Sequence, residues 1–566
     1  MKSIIIKLLK KAFTELEINL NEKQIETLLE VPPSPELGDY SFPCFSLARV
    51  LKENPEKIAS EIVNKIPPSN LVVSVKALGS YVNFFFDRKK IAAAILREIS
   101  TKKDKFGSSN AGKSNRTMVE FSQANTHKAF HVGHVRGTSI GESLSRILEF
   151  CGEKVVRANY QGDIGMHVAK WIWCYKKYHS KEKLKKDEAW IASIYVDAVK
   201  RLSDNEKLQA EVDEMNRVLS NGLDKNLISL WQKTRNLSLA SFEAIYKQLN
   251  THFNKYFFES QLEKKGKDIS ESLLKQKIAK PSDGAVIVDL KRYNLGVWVL
   301  LRKDGTVLYS AKDLALAEEK FKEFKINKSI YVVGAAQSLH LLQLFKTLEL
   351  IKFKAAKSCI HVPVTEVRLP TGKMSSRTGE NILYSEFIKE ITSYAAKEIK
   401  KRFPSISKKE LEERALRISM AAIKYSMLKQ STSKVLVFSK EDALNFEGDS
   451  GPYILYSYAR ASSILKKASS KKREATAKND LEKIEFELVK KLLQFKDVAI
   501  NAYNNLNPSV IANYSYQLSQ MFNEFYHSCP VIGSENEHFR LSLVSSFRQV
   551  IKNSLHLLGI EPTEEM

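Results

Sequence analysis

Between residues 116 and 160 the chain spells out a strand, a helix and a second strand. "RTMVEF" is a short apolar run, residues 132–150 repeat apolar positions at helical spacing, Gly152 stops that helix, and "KVVRANY" is apolar and extended again. A strand–helix–strand unit joins its strands in parallel, so this part of the chain is committed to an α/β domain around a buried parallel sheet. Five later runs, "GAVIVDL", "GVWVLL", "TVLYS", "SIYVVGA" and "CIHVPVTEV", are read as the second half of that sheet. A polar, largely helical insertion at about residues 175–275 separates the two halves.

The flanks differ in character. Residues 1–105 alternate helical patterns with strand-like "LVVSV" and "YVNFFFD", and the Lys-, Ser- and Gly-rich "TKKDKFGSSNAGKSNR" closes them off as an α+β domain. Residues 115–400 hold the parallel-sheet domain, and residues 405–566 read as amphipathic helices around the basic patch "KKASSKKRE". Lys and Arg number 89 against 65 acids, a formal charge of +24 that favours a polyanionic partner, nucleic acid first. The five cysteines are scattered and never spaced C-x-x-C, which argues against a disulfide framework and a structural zinc site. No apolar run has the length of a membrane span. The basic amphipathic start carries Glu15 and Glu17 and reads as a folded first helix, not a targeting peptide.

The first strand is followed by neither a Walker loop nor a G-x-G-x-x-G. Its sequel is "VEFSQANTHKAFHVGHVRG", which places Glu120, Asn125, Lys128, His131 and His134 within fifteen positions. His131 and His134 fall at a helix start, where free N–H groups and the positive end of the dipole favour phosphate. Imidazoles there can donate hydrogen bonds to a phosphate whose charge rises in a transition state. Gly133, between them, lets a purine lie close to the backbone. Far downstream, "GKMSSRTGEN" is a Gly- and Ser-bounded loop with Lys373, Met374, Ser375, Ser376 and Arg377.

Together, H-V-G-H after the first strand and K-M-S-S-R after the last resemble the two signatures of the class I aminoacyl-tRNA synthetases. "EFSQANTHKAFHVGH", "NYQGDIG", "VLYSAKDLA", "YVVGAAQSLHLLQ", "FEGDSGPYILYSYAR" and the ending "LHLLGIEPTEEM" are similar, within that class, to the arginyl-tRNA synthetases. The resemblance implies a Rossmann-like catalytic domain, an N-terminal domain that touches tRNA, and an all-α anticodon-binding domain. It implies the activation of L-arginine by ATP with Mg2+, transfer to tRNA(Arg), a cytoplasmic monomer, no structural metal and no membrane. Catalysis would fall to His131, His134, Lys128, Lys373 and Arg377. ATP would lie on Gly133, the two histidines, Lys373, Met374, Ser375 and Ser376. Arginine would be held by Glu120, Ser122, Asn125, Tyr309, Asp313 and Gln337, and tRNA would meet Tyr81 and Asn83. A planar cation with five N–H donors asks for carboxylates set for bidentate bonding, which Glu120 and Asp313 supply.

The chain departs from the family pattern in three places. Gln123-Ala124 stands where Ser-Pro is common, His167 where glutamine is common, and Ser376 where the signature loop has a second lysine. Lys128, upstream of the histidines, is then expected to meet the phosphates in place of that lysine. The rival readings are a class I synthetase for another amino acid and a synthetase-like RNA-binding protein without catalysis. The acids of the pocket and the intact histidines oppose them.

Overall fold

A computed structural model describes residues 1–370, 372–373, 382–468 and 473–566. Two compact units emerge: Met1–Lys102 with Ala468–Leu493 and Glu524–Ser546, and Lys103–Lys467 with Gln494–Asn523 and Phe547–Met566.

In the first unit the amphipathic start is the helix Lys2–Glu15, which buries Ile5, Leu9, Ala12 and Phe13 at the spacing of one helical face. Strands β1 (Tyr40–Pro43), β2 (Val72–Leu78) and β3 (Tyr81–Phe86) form an antiparallel sheet in the order β1-β3-β2. The strand bearing Tyr81 and Asn83 is therefore central, which fits its buried Val82, Phe84 and Phe86.

The second unit is built on β4 (Arg116–Glu120), which runs parallel to β5 (Lys154–Gln161), itself parallel to β6 (Lys255–Phe258). The chain then makes β7 (Ala279–Ser282), β8 (Ala285–Asp289) and β9 (Val297–Leu301), and returns to the first sheet with β10 (Lys328–Gly334) and β11 (Cys359–Val364). The parallel order is β11-β10-β4-β5-β6. Successive strands grow one way from β4 and then the other, so the order reverses between β4 and β10. The C-terminal mouth of such a switch point is where open α/β sheets bind ligands. Glu120 ends β4 at that mouth, opposite Tyr331 on β10 and Ala158 on β5.

Two expectations about the sheet need correction. "GAVIVDL" and "GVWVLL" do not join the parallel sheet. They are β8 and β9 of a separate antiparallel sheet, β7-β8-β9, and "TVLYS" leads into the helix Tyr309–Phe324 with one bridge, Val307 to Leu301. The cause is local. Asp283 and Gly284 both have positive φ (48° and 80°), the Asp-Gly hairpin turn that folds β8 back on β7. The strand missing from the parallel sheet is β6, "KYFF", inside the stretch read as a helical insertion. The rest of that insertion is helical, with Trp171, Trp190 and Ile194 in its own core.

The helix Val132–Phe150 buries Val135, Ile140, Leu144, Ile147 and Leu148 along its length. A Cβ on Gly141 would stand 2.1 Å from Cγ of Phe121, so the helix rests directly on the residue that follows β4. Its fully buried Arg136 binds Thr365 O (3.0 Å), Thr365 Oγ1 (2.9 Å), Glu366 O (3.2 Å), Ser431 O (3.3 Å) and Lys434 O (2.9 Å). Those oxygens flank β12 (Val367–Leu369), which pairs with β13 (Gly372–Lys373) and β14 (Leu436–Val437). The second signature loop thus starts from a hairpin pinned to the helix that carries the first.

Candidate active site

The loop from β4 to the helix Val132–Phe150 is tightly wound. Ser122, Gln123 and His127 all adopt positive φ (78°, 51° and 61°), a conformation that costs non-glycine residues energy and tends to gather at functional sites. Partners hold each in place. Ser122 Oγ lies 3.0 Å from Tyr246 OH and 3.0 Å from Thr138 Oγ1. His127 is wholly buried, its ring nitrogens 3.0 Å from Thr126 Oγ1 and 2.9 Å from Thr234 Oγ1. Burial depresses that imidazole to about 3, with smaller effects of His167 and Arg235, so it is neutral. Gly162, after β5, accepts from Thr126 N (3.0 Å) and from His167 Nε2 (3.2 Å), and Asn125 Oδ1 lies where a Cβ of Gly162 would go. Asn125 itself is exposed at the mouth.

His131 caps the helix and the hydrogen bonds define its tautomer. Gly133 N donates to His131 Nδ1 (3.1 Å), and His131 N donates to His134 Nδ1 (3.1 Å). Each Nδ1 is an acceptor, so each neutral ring carries its proton on Nε2. The rings stack with centroids 3.7 Å apart. A Cβ on Gly133 would meet His131 Cε1 at 2.9 Å, so any larger residue there would press on that ring. Burial pushes His131 down to about 4, with Lys128 adding to the shift, and burial, His131 and Lys128 hold His134 well below the usual imidazole range. The half-buried Lys128 has its ammonium 5.1 Å from the centre of the Tyr195 ring, and His167, lowered first by burial, is lowered further by its charge. Two neutral N–H donors, a helix start and a lysine therefore share one end of the mouth.

The other signature loop is anchored to the same place. Lys373 pairs with Arg368 in β13, and on the far side Leu383 bridges to His131 while Tyr384 N donates to Phe130 O (2.8 Å). Met374, Ser375, Ser376 and Arg377 lie outside the described residues.

At the opposite end is a nest of acids. Glu120, 3% exposed, forms an ion pair with Lys320, itself 1% exposed on the helix Tyr309–Phe324, and accepts from Gln123 Nε2 (3.0 Å). Asp313 Oδ2 stands 2.7 Å from His340 Nε2. His340 Nδ1 accepts from the Trp298 indole N–H (3.2 Å), so the proton sits on Nε2 and points at Asp313. Tyr309, 59% exposed, lies with its ring 4.6 Å from that of His340, so Tyr309 and Asp313 meet at one imidazole, one helical turn apart. Asp163 pairs with Arg235 (3.0 Å) and accepts from Ser260 N (2.9 Å); Glu259 pairs with Lys312 (3.0 Å). Tyr160 lies among these acids: burial, then Asp313, Glu259, Glu120 and Asp163, push its phenol well up, and its buried hydroxyl has no hydrogen-bond partner among the described residues. Gln337 is exposed on the turn after β10, at the same mouth.

The structure thus gathers Glu120, Ser122, Asn125, Tyr309, Asp313 and Gln337 around the ends of β4 and β10. In the first unit Asn83 is 3% exposed and of that pair only Tyr81 presents surface. Sequence reasoning missed His127, Arg136, Tyr160, Lys320 and His340. For Lys320 a signal existed, since it lies seven residues after Asp313 and so on the same helical face. For the others the partners are distant in sequence and no local pattern marks them.

Comparison with known proteins identifies the family. The family described as tRNA synthetases class I (R), catalytic domain, matches residues 95–439. The DALR anticodon binding domain matches residues 454–566, and the arginyl tRNA synthetase N terminal domain residues 1–86. The arginine–tRNA ligase of Clostridium perfringens is 38% identical over 559 residues, covering 97% of this chain and 98% of its own. That of Clostridium kluyveri is also 38% identical, covering 98% of this chain and 97% of its own. The solved arginyl-tRNA synthetase of Thermus thermophilus superposes with a TM-score of 0.81 at 26% identity, covering all of both chains. With this fold, these family models and relatives of 38% identity over nearly its whole length, the chain belongs to the arginyl-tRNA synthetases and is an ATP-dependent arginine–tRNA ligase.

Proposed function

We propose a division of labour between the two ends of the mouth. Asp313, with Tyr309 and the remaining lone pairs of Glu120, receives the guanidinium of arginine, while Ser122, Asn125 and Gln337 receive its α-amino end. The triphosphate of ATP, with Mg2+ as part of the substrate, lies across the helix start with its purine against Gly133. The Nε2–H groups of His131 and His134 donate to the α-phosphate as the arginine carboxylate attacks and pyrophosphate departs. Neutral donors suit this step, because their bonds strengthen as charge develops. Lys128 meets the phosphates from the loop side, and Lys373, Met374, Ser375, Ser376 and Arg377 from the other.

The observation that carries this reading is the pair of imidazoles with Nδ1 occupied by backbone N–H groups, which leaves both Nε2–H groups to donate at the helix start. The tRNA lies along Tyr81 in the N-terminal domain (residues 1–105) and the helical domain (residues 405–566), with the +24 charge as its long-range attraction. The enzyme works as a cytoplasmic monomer, which sedimentation would test. Charging of total tRNA with each labelled amino acid, by wild type and by Asp313→Asn, tests the pocket. Arginine alone should be accepted and the variant should lose it. Equal charging of lysine by the wild type refutes the assignment.

A further inference from the structure

The acidic pocket holds more charge than one arginine needs, and the surplus is cancelled from within. Four carboxylates, those of Glu120, Asp163, Glu259 and Asp313, all act on the buried Tyr160 hydroxyl, which places them around one point. Three have a cation of their own: Lys320 on Glu120, Arg235 on Asp163 at 3.0 Å, and Lys312 on Glu259 at 3.0 Å. Lys312 also reaches Glu263 (2.7 Å), whose half-exposed side chain water can screen. Asp313 differs from the others. Its partner is His340, whose Nδ1 accepts from Trp298, so it receives a hydrogen bond from a neutral ring and its charge stays uncancelled.

Lys320 is the unusual member. Its side chain is 1% exposed, and its ammonium sits 4.3 Å from the centre of the Tyr331 ring, on the strand next to Glu120. A lysine loses much solvation at such a site and is stable there only beside a carboxylate and a ring face. We propose that Lys320 presets the net charge of the arginine pocket: by neutralising Glu120 from inside it leaves one negative charge, carried by Asp313, so the pocket selects a side chain with one positive charge over its neutral isostere. Lys320 is thus a specificity-determining residue that acts through Glu120 and does not touch the substrate. Without it the buried Glu120 would take up a proton or a stray cation, and the charge seen by the substrate would no longer be set. The inference rests on the pocket assignment proposed above.

The test measures arginine KM and kcat, together with inhibition by citrulline, in which an oxygen replaces one guanidinium nitrogen and the charge is absent. Glu120→Gln alone leaves Lys320 uncompensated and the pocket neutral. Arginine KM should rise by about thirtyfold or more, as for the loss of one partner from a buried charge pair, with kcat changed far less. The preference for arginine over citrulline should fall by a similar factor. Glu120→Gln with Lys320→Met restores one net negative charge while keeping an amide oxygen at position 120, and should recover most of both quantities. A double variant that folds, judged by an unchanged ATP KM, yet is as impaired as Glu120→Gln would overturn the proposal and make Glu120 a direct, charge-bearing ligand. Should the double variant not fold, Lys320→Arg carries the test: it should keep the citrulline discrimination that Glu120→Gln loses, and loss of that discrimination overturns the idea. Asp313→Asn separates this failure from that of the pocket assignment, since an unchanged arginine KM there removes both.

Discussion

Replacing Lys128 by alanine probes how the enzyme manages without a lysine at position 376. The signature loop has Ser376 where a second lysine is usual, and in the reading proposed above Lys128 supplies the cation for the charge that builds on the α-phosphate and the departing pyrophosphate. Lys128 is three residues upstream of His131, and beyond the larger effect of burial its charge lowers His131, His134 and His167, so its ammonium acts on both signature imidazoles. At a separation of about 6 Å and an effective dielectric of about 20, one unit of developing charge is stabilised by roughly 3 kcal/mol. That corresponds to a rate loss of about a hundredfold. Arginine binding should change little, because the contact strengthens only as pyrophosphate leaves. Single-turnover adenylation at saturating ATP, with tRNA present, is the assay. Ser376→Lys in the same background should recover part of the rate. A Lys128→Ala enzyme with a near-normal rate would show that the phosphates are met by other groups.

Three further outcomes are expected. His127 is held near 3 in the fold, below its value of about 6.5 in an unfolded chain, so between those pH values only the unfolded chain holds its proton and stability falls as pH falls. His127→Gln should flatten the slope of urea-unfolding stability against pH by up to about 1.4 kcal/mol per unit, and an unchanged slope contradicts the assignment. Arg136→Met leaves backbone oxygens around β12 without their donor and should cost about 3 kcal/mol or more, seen as a lower Tm and a kcat that drops more than arginine KM rises. A Tm within a degree of wild type would mean the clamp is dispensable. Gly141→Ala forces a Cβ into Phe121 and should destabilise by about 1–3 kcal/mol through overpacking. Equal or higher stability by calorimetry would show that the helix can shift away from β4 at no cost.

The helix from Val132 to Phe150, the strands around "RTMVEF" and "KVVRANY", the stop at Gly152 and the folded first helix were all legible in the sequence. Each is decided by residues within a few positions of one another, through periodicity, capping or turn chemistry. The Asp-Gly at 283–284 belonged to the same kind of signal, and weighing it would have separated β8 and β9 from the parallel sheet. The positions of the two signatures, and the acids that accompany them, could likewise be read as a string.

Tertiary structure alone decided what those groups can do. The histidine tautomers follow from which backbone N–H reaches each Nδ1, a matter of ångströms that no spacing records. The charge of the acidic pocket depends on pairs distant along the chain: Glu120 with Lys320, Asp163 with Arg235, and Asp313 with His340, whose proton is set by Trp298. The short β6 became a strand because Gln161 and its neighbours offered an open sheet edge. Local sequence specifies backbone shape through short-range sterics and hydrogen bonds, whereas the charge of a buried group is set by whichever partner the packed chain brings within a few ångströms.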